Sequence, residues 1–86
     1  MTLTIRVLGG GCENCHNLEK NARAAAAQLG LDATFELTGD RTEYSRYGLL
    51  YTPGLVVNDK LVSAGRVPSV AEVTILLVNA LAASES

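Results

Sequence analysis

Hydrophobic and polar residues alternate at the start of the chain and then change to a helical spacing. Leu3, Ile5 and Val7 alternate with polar residues, which predicts a strand. Three glycines, residues 9–11, end this pattern. Gly30 stands where a left-handed residue often closes a helix, so a long helix is predicted between the glycines and Gly30. Its apolar face consists of Cys15, Leu18, Ala22, Ala25, Ala26 and Leu29.

The alternation then returns, and the second strand completes a βαβ unit. Ala33, Phe35 and Leu37 alternate with polar residues. A strand, a helix and a second strand in this order predict two parallel strands joined by a helical crossover.

Two short capping signals and a turn organise the second half of the chain. Asp40 with Glu43, and Ser69 with Glu72, have the spacing of a capping box, so each predicts a helix start. The first helix is short, carries Tyr44 and Tyr47 on its apolar side and ends at Gly48; the second runs to about Ala83. Between them, the apolar runs 55–57 and 61–62 flank Asn58-Asp59-Lys60, which predicts a hairpin. The predicted order is βαβ, then α, then ββα.

Length, charge and the lack of long apolar runs narrow the functional classes. Eighty-six residues suit a single domain, predicted to span residues 1–86. The net charge is −2 and basic residues are scattered, which argues against a nucleic-acid partner. The amino terminus has no secretory pattern, and the apolar stretch 73–83 is too short to cross a bilayer. We therefore predict a cytoplasmic protein with no membrane partner.

The chain's chemistry is concentrated in Cys12-Glu13-Asn14-Cys15-His16, which holds both cysteines and its only histidine. This pattern fits a redox dithiol, a soft-metal site or a c-type haem attachment site. Cysteines three residues apart close almost no loop, and a reducing compartment disfavours a permanent disulfide. The pair is therefore predicted to serve reactivity or metal binding.

The helical register makes the two cysteines unequal. Cys15 lies on the apolar face of the predicted helix and should be sheltered against the sheet. Cys12 lies at the helix start, where the free N–H groups and the positive end of the dipole lower the pKa of a thiol. Cys12 is therefore predicted to be the nucleophile and Cys15 the resolving thiol. Glu13 opposes the thiolate by like-charge repulsion, which predicts a milder activation and a more reducing couple; His16 is a second candidate for tuning the dithiol.

The order of motifs resembles the thioredoxin/glutaredoxin superfamily, and more closely the minimal thioredoxin-like (redox-active disulfide) proteins of bacteria and archaea. The resemblance rests on VLGGGC before the dithiol, on YGLLYTPGLVVND and on AGRVPS, and it covers nearly the whole chain. It implies a minimal thioredoxin-like α/β fold with a four-stranded mixed sheet and helices on both faces.

The same resemblance implies the activity and the remaining site residues. It implies a thiol–disulfide oxidoreductase without a cofactor, which acts on a protein or small-molecule disulfide and is reduced again by an upstream reductase. It also implies a cis Thr52-Pro53 bond beside the dithiol, with the Thr52 backbone pairing with an extended substrate. Gly65 matches a position that approaches the site closely. Thioredoxin itself differs, with a Trp before its motif and Gly-Pro within it, where this chain has Gly11 and Glu13-Asn14.

Other functions use the same dithiol. Cys12 and Cys15 suit Cu(I) by softness, as in heavy-metal-associated domains, but those domains end in a strand and usually carry a Met before the first Cys. Binding of an arsenical without turnover is a third hypothesis. Haem attachment is the weakest, because no export signal and no internal methionine ligand are visible.

Two further predictions concern surfaces. Tyr47 and Tyr51 are candidates to shape a substrate groove, with core packing expected for at least one of them. The last helix has one apolar stripe with Val73 and Leu77 and a second with Ile75 and Val78. A single-layer contact cannot bury both stripes, so a partner is predicted there, most simply a second copy of the chain.

Overall fold

Four strands and three helices follow one another in the predicted order in a computed structural model, which describes residues 2–9 and 13–85. The strands are β1 (Thr2–Leu8), β2 (Asp32–Thr38), β3 (Gly54–Val57) and β4 (Lys60–Ala64). The helices are α1 (Glu13–Leu29), α2 (Arg41–Arg46) and α3 (Val70–Glu85). The predicted α/β fold class is therefore confirmed.

The sheet has the order β2-β1-β3-β4 and is mixed. β1 pairs in parallel with β2, as the βαβ pattern predicted, and Ile5 lies opposite Phe35. β3 runs antiparallel to both β1 and β4. The first strand of the sequence thus lies in the interior of the sheet, and its carboxyl end points toward the start of α1.

The alternation along β1 divides the interior into two clusters, one on each face of the sheet. On one face, α1 and α3 pack over Leu3, Ile5 and Val7. On the other face, a smaller cluster consists of Leu8, Leu49 and Val56, with Tyr44 and Tyr47 of the short α2 packed against it. The prediction of helices on both faces is confirmed.

Local signals explain how α1 and α3 begin or end. Gly30 closes α1 with a φ of +67°, and the Leu31 N–H donates to the Ala26 carbonyl at 3.0 Å. At α3, Ser69 and Glu72 form the reciprocal capping box, since each backbone N–H donates to the other side chain at 3.2 Å. Both boundaries agree with the sequence prediction.

The start of α2 and the hairpin differ in detail from the prediction. The Asp40 side chain caps α2 by accepting from the Thr42 N–H, but its own N–H donates to the Thr38 hydroxyl at 3.3 Å. The backbone N–H of Asp40 is therefore bonded to Thr38 at the end of β2, and not to the Glu43 side chain as the predicted capping box requires. In the hairpin, only Asn58 and Asp59 have positive φ values, of 50° and 68°, as a two-residue turn requires. Lys60 already belongs to β4.

Candidate active site

Cys15 lies in the first turn of α1 and faces the sheet. Only 1% of it is exposed, and it shares the buried face of the helix with Leu18 and Ala22. Glu13 and His16, the two residues predicted to tune the dithiol, are exposed on the same turn. Cys12 lies outside the described residues, so its predicted exposure and its role as nucleophile stay predictions.

The end of the sheet beside Cys15 forms a continuous row of backbone. The Gly9 N–H donates to the carbonyl of Thr38, the last residue of β2, at 2.8 Å, which extends the pairing of β1 with β2 by one hydrogen bond. Because Leu8 lies opposite Gly54, Gly9 comes beside Pro53. The Pro53 carbonyl then accepts the Gly65 N–H at 2.9 Å. Residues at one end of each of the four strands thus meet on one line across the sheet.

Gly9, Pro53 and Gly65, the glycine and proline residues of this row, come from separate parts of the sequence and lie close together. The Thr52–Pro53 bond is cis, Pro53 is buried and Thr52 is exposed. A Cβ built on Gly9 would lie 3.2 Å from the Cβ of Cys15 and 4.0 Å from the Cβ of Pro53. The cysteine helix and the Thr-Pro loop, 38 residues apart in sequence, therefore converge on Gly9.

Gly65 lies on the other side of Pro53 and contacts the segment before it. Its φ is +72°, a conformation that side chains rarely adopt, and a Cβ there would lie 3.2 Å from the Cβ of Tyr51. Leu50 and Tyr51 precede Thr52 and are 86% and 73% exposed. An apolar, solvent-facing pair thus borders the Thr-Pro loop.

Tyr47, the other tyrosine considered for this groove, lies on the opposite face of the sheet. It packs on the smaller cluster, and its hydroxyl contacts the guanidinium of Arg6. The Arg6 guanidinium also bonds Glu36 at 2.6 Å and Asp59 at 2.7 Å. The hydrogen bond to Glu36, followed by that to Asp59, raises the pKa of Arg6 far above its ordinary value. Tyr47 therefore belongs to a structural charge cluster, and the expectation that one of the two tyrosines packs in the core agrees with its position.

One cavity formed by the described residues lies on the α2 face and not beside Cys15. It encloses about 360 Å³ and is lined by both acidic and basic side chains, among them Arg6, Glu36 and Arg46. Its mixed charge offers no consistent recognition of an anion or a cation. This cavity adds no residue to the candidate site, which is the shallow surface over the row Gly9–Pro53–Gly65.

A second ion pair stabilises the loop that leaves this row. Arg66 donates to Glu72, and the pKa of Glu72 is lowered, first by this hydrogen bond and then by the Ser69 N–H. The Asn21 side chain on α1 donates to the Pro68 carbonyl at 2.9 Å. The loop after Gly65 is therefore held to both α1 and α3.

Among residues 2–9 and 13–85, no three histidine, cysteine, aspartate or glutamate side chains are arranged to hold a metal ion. The Cys12–Cys15 pair extends beyond that part of the chain, so a two-thiolate metal site stays a prediction. None of the helices in the described ranges has the length and apolar character needed to cross a bilayer.

Comparison with known proteins agrees with this geometry. The family model described as the thioredoxin domain matches residues 3–78, which covers most of the chain. The chain belongs to the thioredoxin family. A thioredoxin of Methanothermobacter thermautotrophicus is 43% identical over 75 residues, covering 87% of this chain and 97% of its own. A thioredoxin of Methanocaldococcus jannaschii is 34% identical over 71 residues, covering 83% and 81% of the two chains.

Within this thioredoxin fold, the sequence signals missed two residues of the site. Gly9 was interpreted only as the end of a strand, although it is the residue that Cys15 and Pro53 both approach. No sequence pattern predicted a role for Leu50, because a single exposed leucine belongs to neither a helical nor a strand periodicity. A run of glycines directly before a dithiol is the signal that could have identified Gly9.

Proposed function

We propose that this chain carries out thiol–disulfide exchange with Cys12 as the attacking thiol and Cys15 as the resolving thiol. Membership of the thioredoxin family makes it a thiol–disulfide oxidoreductase in general terms. The observation that carries the finer proposal is the position of Cys15: it is buried in the first turn of α1 against Gly9, the residue that Pro53 also approaches. An inner sulfur held in this way suits the second step of exchange rather than the first.

The proposed reaction moves two electrons without a cofactor. The Cys12 thiolate attacks one sulfur of a substrate disulfide, and the other sulfur leaves as a thiolate that takes up a proton. The Cys15 thiolate then attacks the Cys12 sulfur, which breaks the mixed disulfide and releases the second substrate thiol. The protein ends with a Cys12–Cys15 disulfide, and an upstream reductase restores the dithiol.

The substrate is proposed to lie along Thr52, Pro53 and Gly65. Thr52 is exposed, whereas the Pro53 carbonyl is already bonded to Gly65, so Thr52 is the backbone position that an extended chain can reach. Tyr51 and Leu50 offer apolar surface beside it. This combination favours a flexible peptide segment that carries an apolar side chain near its cystine.

The remaining details of the proposal rest on the sequence. Glu13 and His16 are exposed on the turn that carries Cys15, so solvent screens the charge that either side chain presents to the dithiol. The cytoplasmic location stays a prediction. A second copy of the chain docking on α3 also stays a prediction, supported by Ile75 and Val78, which are 60% and 46% exposed.

Trapping with Cys15→Ser tests the exchange mechanism directly. Without the resolving thiol, the mixed disulfide on Cys12 has no intramolecular route to release, so the variant should retain a substrate that the wild-type protein turns over. The wild-type protein should also reduce insulin, and its dithiol should titrate as one two-electron couple against glutathione. Cys12→Ser is the matched control and should trap nothing.

The same experiment separates exchange from metal or arsenical carriage. Stoichiometric uptake of Cu(I) or of an arsenical, with no insulin reduction and no trapped disulfide, would replace the proposal by a carrier function. Trapping by both single variants would instead remove the distinction between the two cysteines.

A further inference from the structure

The Cys15 sulfur occupies the space that a side chain on residue 9 would fill. A Cβ built on Gly9 would come closer than 3.0 Å to the Sγ of Cys15, a separation that real Cβ atoms essentially never show. The same Cβ would be 3.2 Å from the Cβ of Cys15. Even an alanine at position 9 therefore conflicts with the present position of the sulfur.

Neither the strand nor the helix can move aside easily. The Gly9 N–H is bonded to Thr38, and Pro53 lies on the other side of Gly9. On α1, Leu18 and Ala22 are fully buried against the sheet, which fixes the distance between helix and strand. The Cys15 sulfur must therefore move, by roughly 1 Å or more, to reach an ordinary contact distance from the added Cβ.

We propose that Gly9 is a positioning residue for the resolving step: its missing side chain leaves the space beside β1 that the Cys15 sulfur occupies, and from this position the sulfur attacks the mixed disulfide. This inference rests on the proposed function and adds a residue to it. In this role Gly9 needs no contact with the substrate or with the reacting bond. It acts only by leaving room for one sulfur.

A displaced Cys15 affects one step of the exchange and not the other. Attack by Cys12 on the substrate disulfide forms one bond and releases one thiolate without any participation of Cys15. The second step requires the Cys15 thiolate to approach the Cys12 sulfur in line with the bond that breaks. Because a misplacement of about 1 Å can slow such a step on the order of 10²-fold, Gly9→Ala should slow resolution about 10- to 100-fold.

The two steps can be followed separately with an aromatic disulfide that releases a coloured thiolate, such as Ellman's reagent. Reduced wild-type protein should release one equivalent on attack and a second on resolution, and mass spectrometry should show only the intramolecular disulfide at the end. Gly9→Ala should release the first equivalent at the wild-type rate and the second about 10- to 100-fold more slowly. The mixed disulfide should then be visible by mass. Cys15→Ser should release a single equivalent.

Gly30→Ala is the matched control for the backbone. It makes the same change at the far end of α1, where φ is +67° and no atom lies within 4 Å of the added Cβ. Its stability should fall while the ratio of the two rates stays that of the wild type. A Gly9→Ala variant with the wild-type ratio would overturn the inference, whereas a wild-type protein that releases no second equivalent would overturn the proposed function.

A stability cycle keeps the inference testable if Gly9→Ala folds poorly. Removing the sulfur by Cys15→Ala removes the main conflict, so Gly9→Ala should lower the urea midpoint much less in that background than in the wild type. Recovery of the fold in the double variant supports the inference. Equal losses in both backgrounds, or a double variant that fails to fold, would overturn it.

Discussion

The sharpest test of the packing compares two neighbouring positions on α3, Leu77 and Ile75. Leu77 is fully buried in the cluster between α1, α3 and the sheet, whereas Ile75 is 60% exposed. Replacing a buried leucine by alanine removes its transfer free energy and leaves a cavity, which together cost about 2–5 kcal/mol. Truncating an exposed side chain changes the free energy of unfolding by about 0.5 kcal/mol or less.

These figures are large against the expected stability of the whole protein. A chain of 86 residues has a free energy of unfolding of about 4–13 kcal/mol. Leu77→Ala should therefore remove a third or more of it in the usual case, and at the lower end of the range it should leave the chain unfolded. Ile75→Ala should stay close to the wild-type value, helped by the greater helix propensity of alanine.

Equilibrium unfolding in urea, followed by circular dichroism, measures both variants on the same scale. Each should be run at two protein concentrations about a hundredfold apart, because a docked second copy would make the midpoint depend on concentration. Equal losses for the two variants at the lower concentration would refute the assignment of Leu77 to the inner face. A loss for Ile75→Ala that grows with concentration would instead support a second copy on the outer stripe.

Two further predictions concern the loop between β4 and α3 and the first turn of α3. The folded-state pKa of Glu72 is lowered by Arg66 and Ser69, so its stabilising contribution is present above the ordinary carboxyl pKa and is lost as pH falls through the lowered value. Wild-type protein should therefore lose stability in acid more steeply than Glu72→Gln, as measured by thermal unfolding from pH 7 to 3; parallel curves would contradict the role of this ion pair. Gly65→Ala should cost about 1–2 kcal/mol because of its positive φ, and more than Gly48→Ala, which has a similar φ of +74° but open space around the added Cβ. Equal losses in urea unfolding would show that the approach of Tyr51 to Gly65 adds nothing.

The sequence predicted the elements well because each carries its own local signal. The burial of Cys15, Leu18 and Ala22 follows from their spacing on one helix face, and the reciprocal bonds of Ser69 and Glu72 follow from a spacing of three residues. Such signals depend on neighbours within one or two turns of chain, which a pattern can show directly.

Contacts between distant residues were beyond such patterns. Arg6 was one of several scattered basic residues in the sequence, yet it joins Glu36, Asp59 and Tyr47, which come from three other parts of the chain. The role of Gly9 likewise depends on where α1 returns over the sheet. The separation of Tyr47 from Tyr51 depends on the turn between α2 and β3, whose direction the alternation of residues does not show.

Two backbone amides in the row Thr38–Gly9–Pro53–Gly65 can be used to measure how often the sheet opens beside the site. Its two N–H bonds, from Gly9 and Gly65, lie directly after the last residues of β1 and β4. Their amide protons should therefore exchange with solvent deuterium only when this end of the sheet separates. Comparing the exchange rates of these two amides in the oxidised and reduced protein would show whether the redox state of the dithiol changes the stability of this end of the sheet.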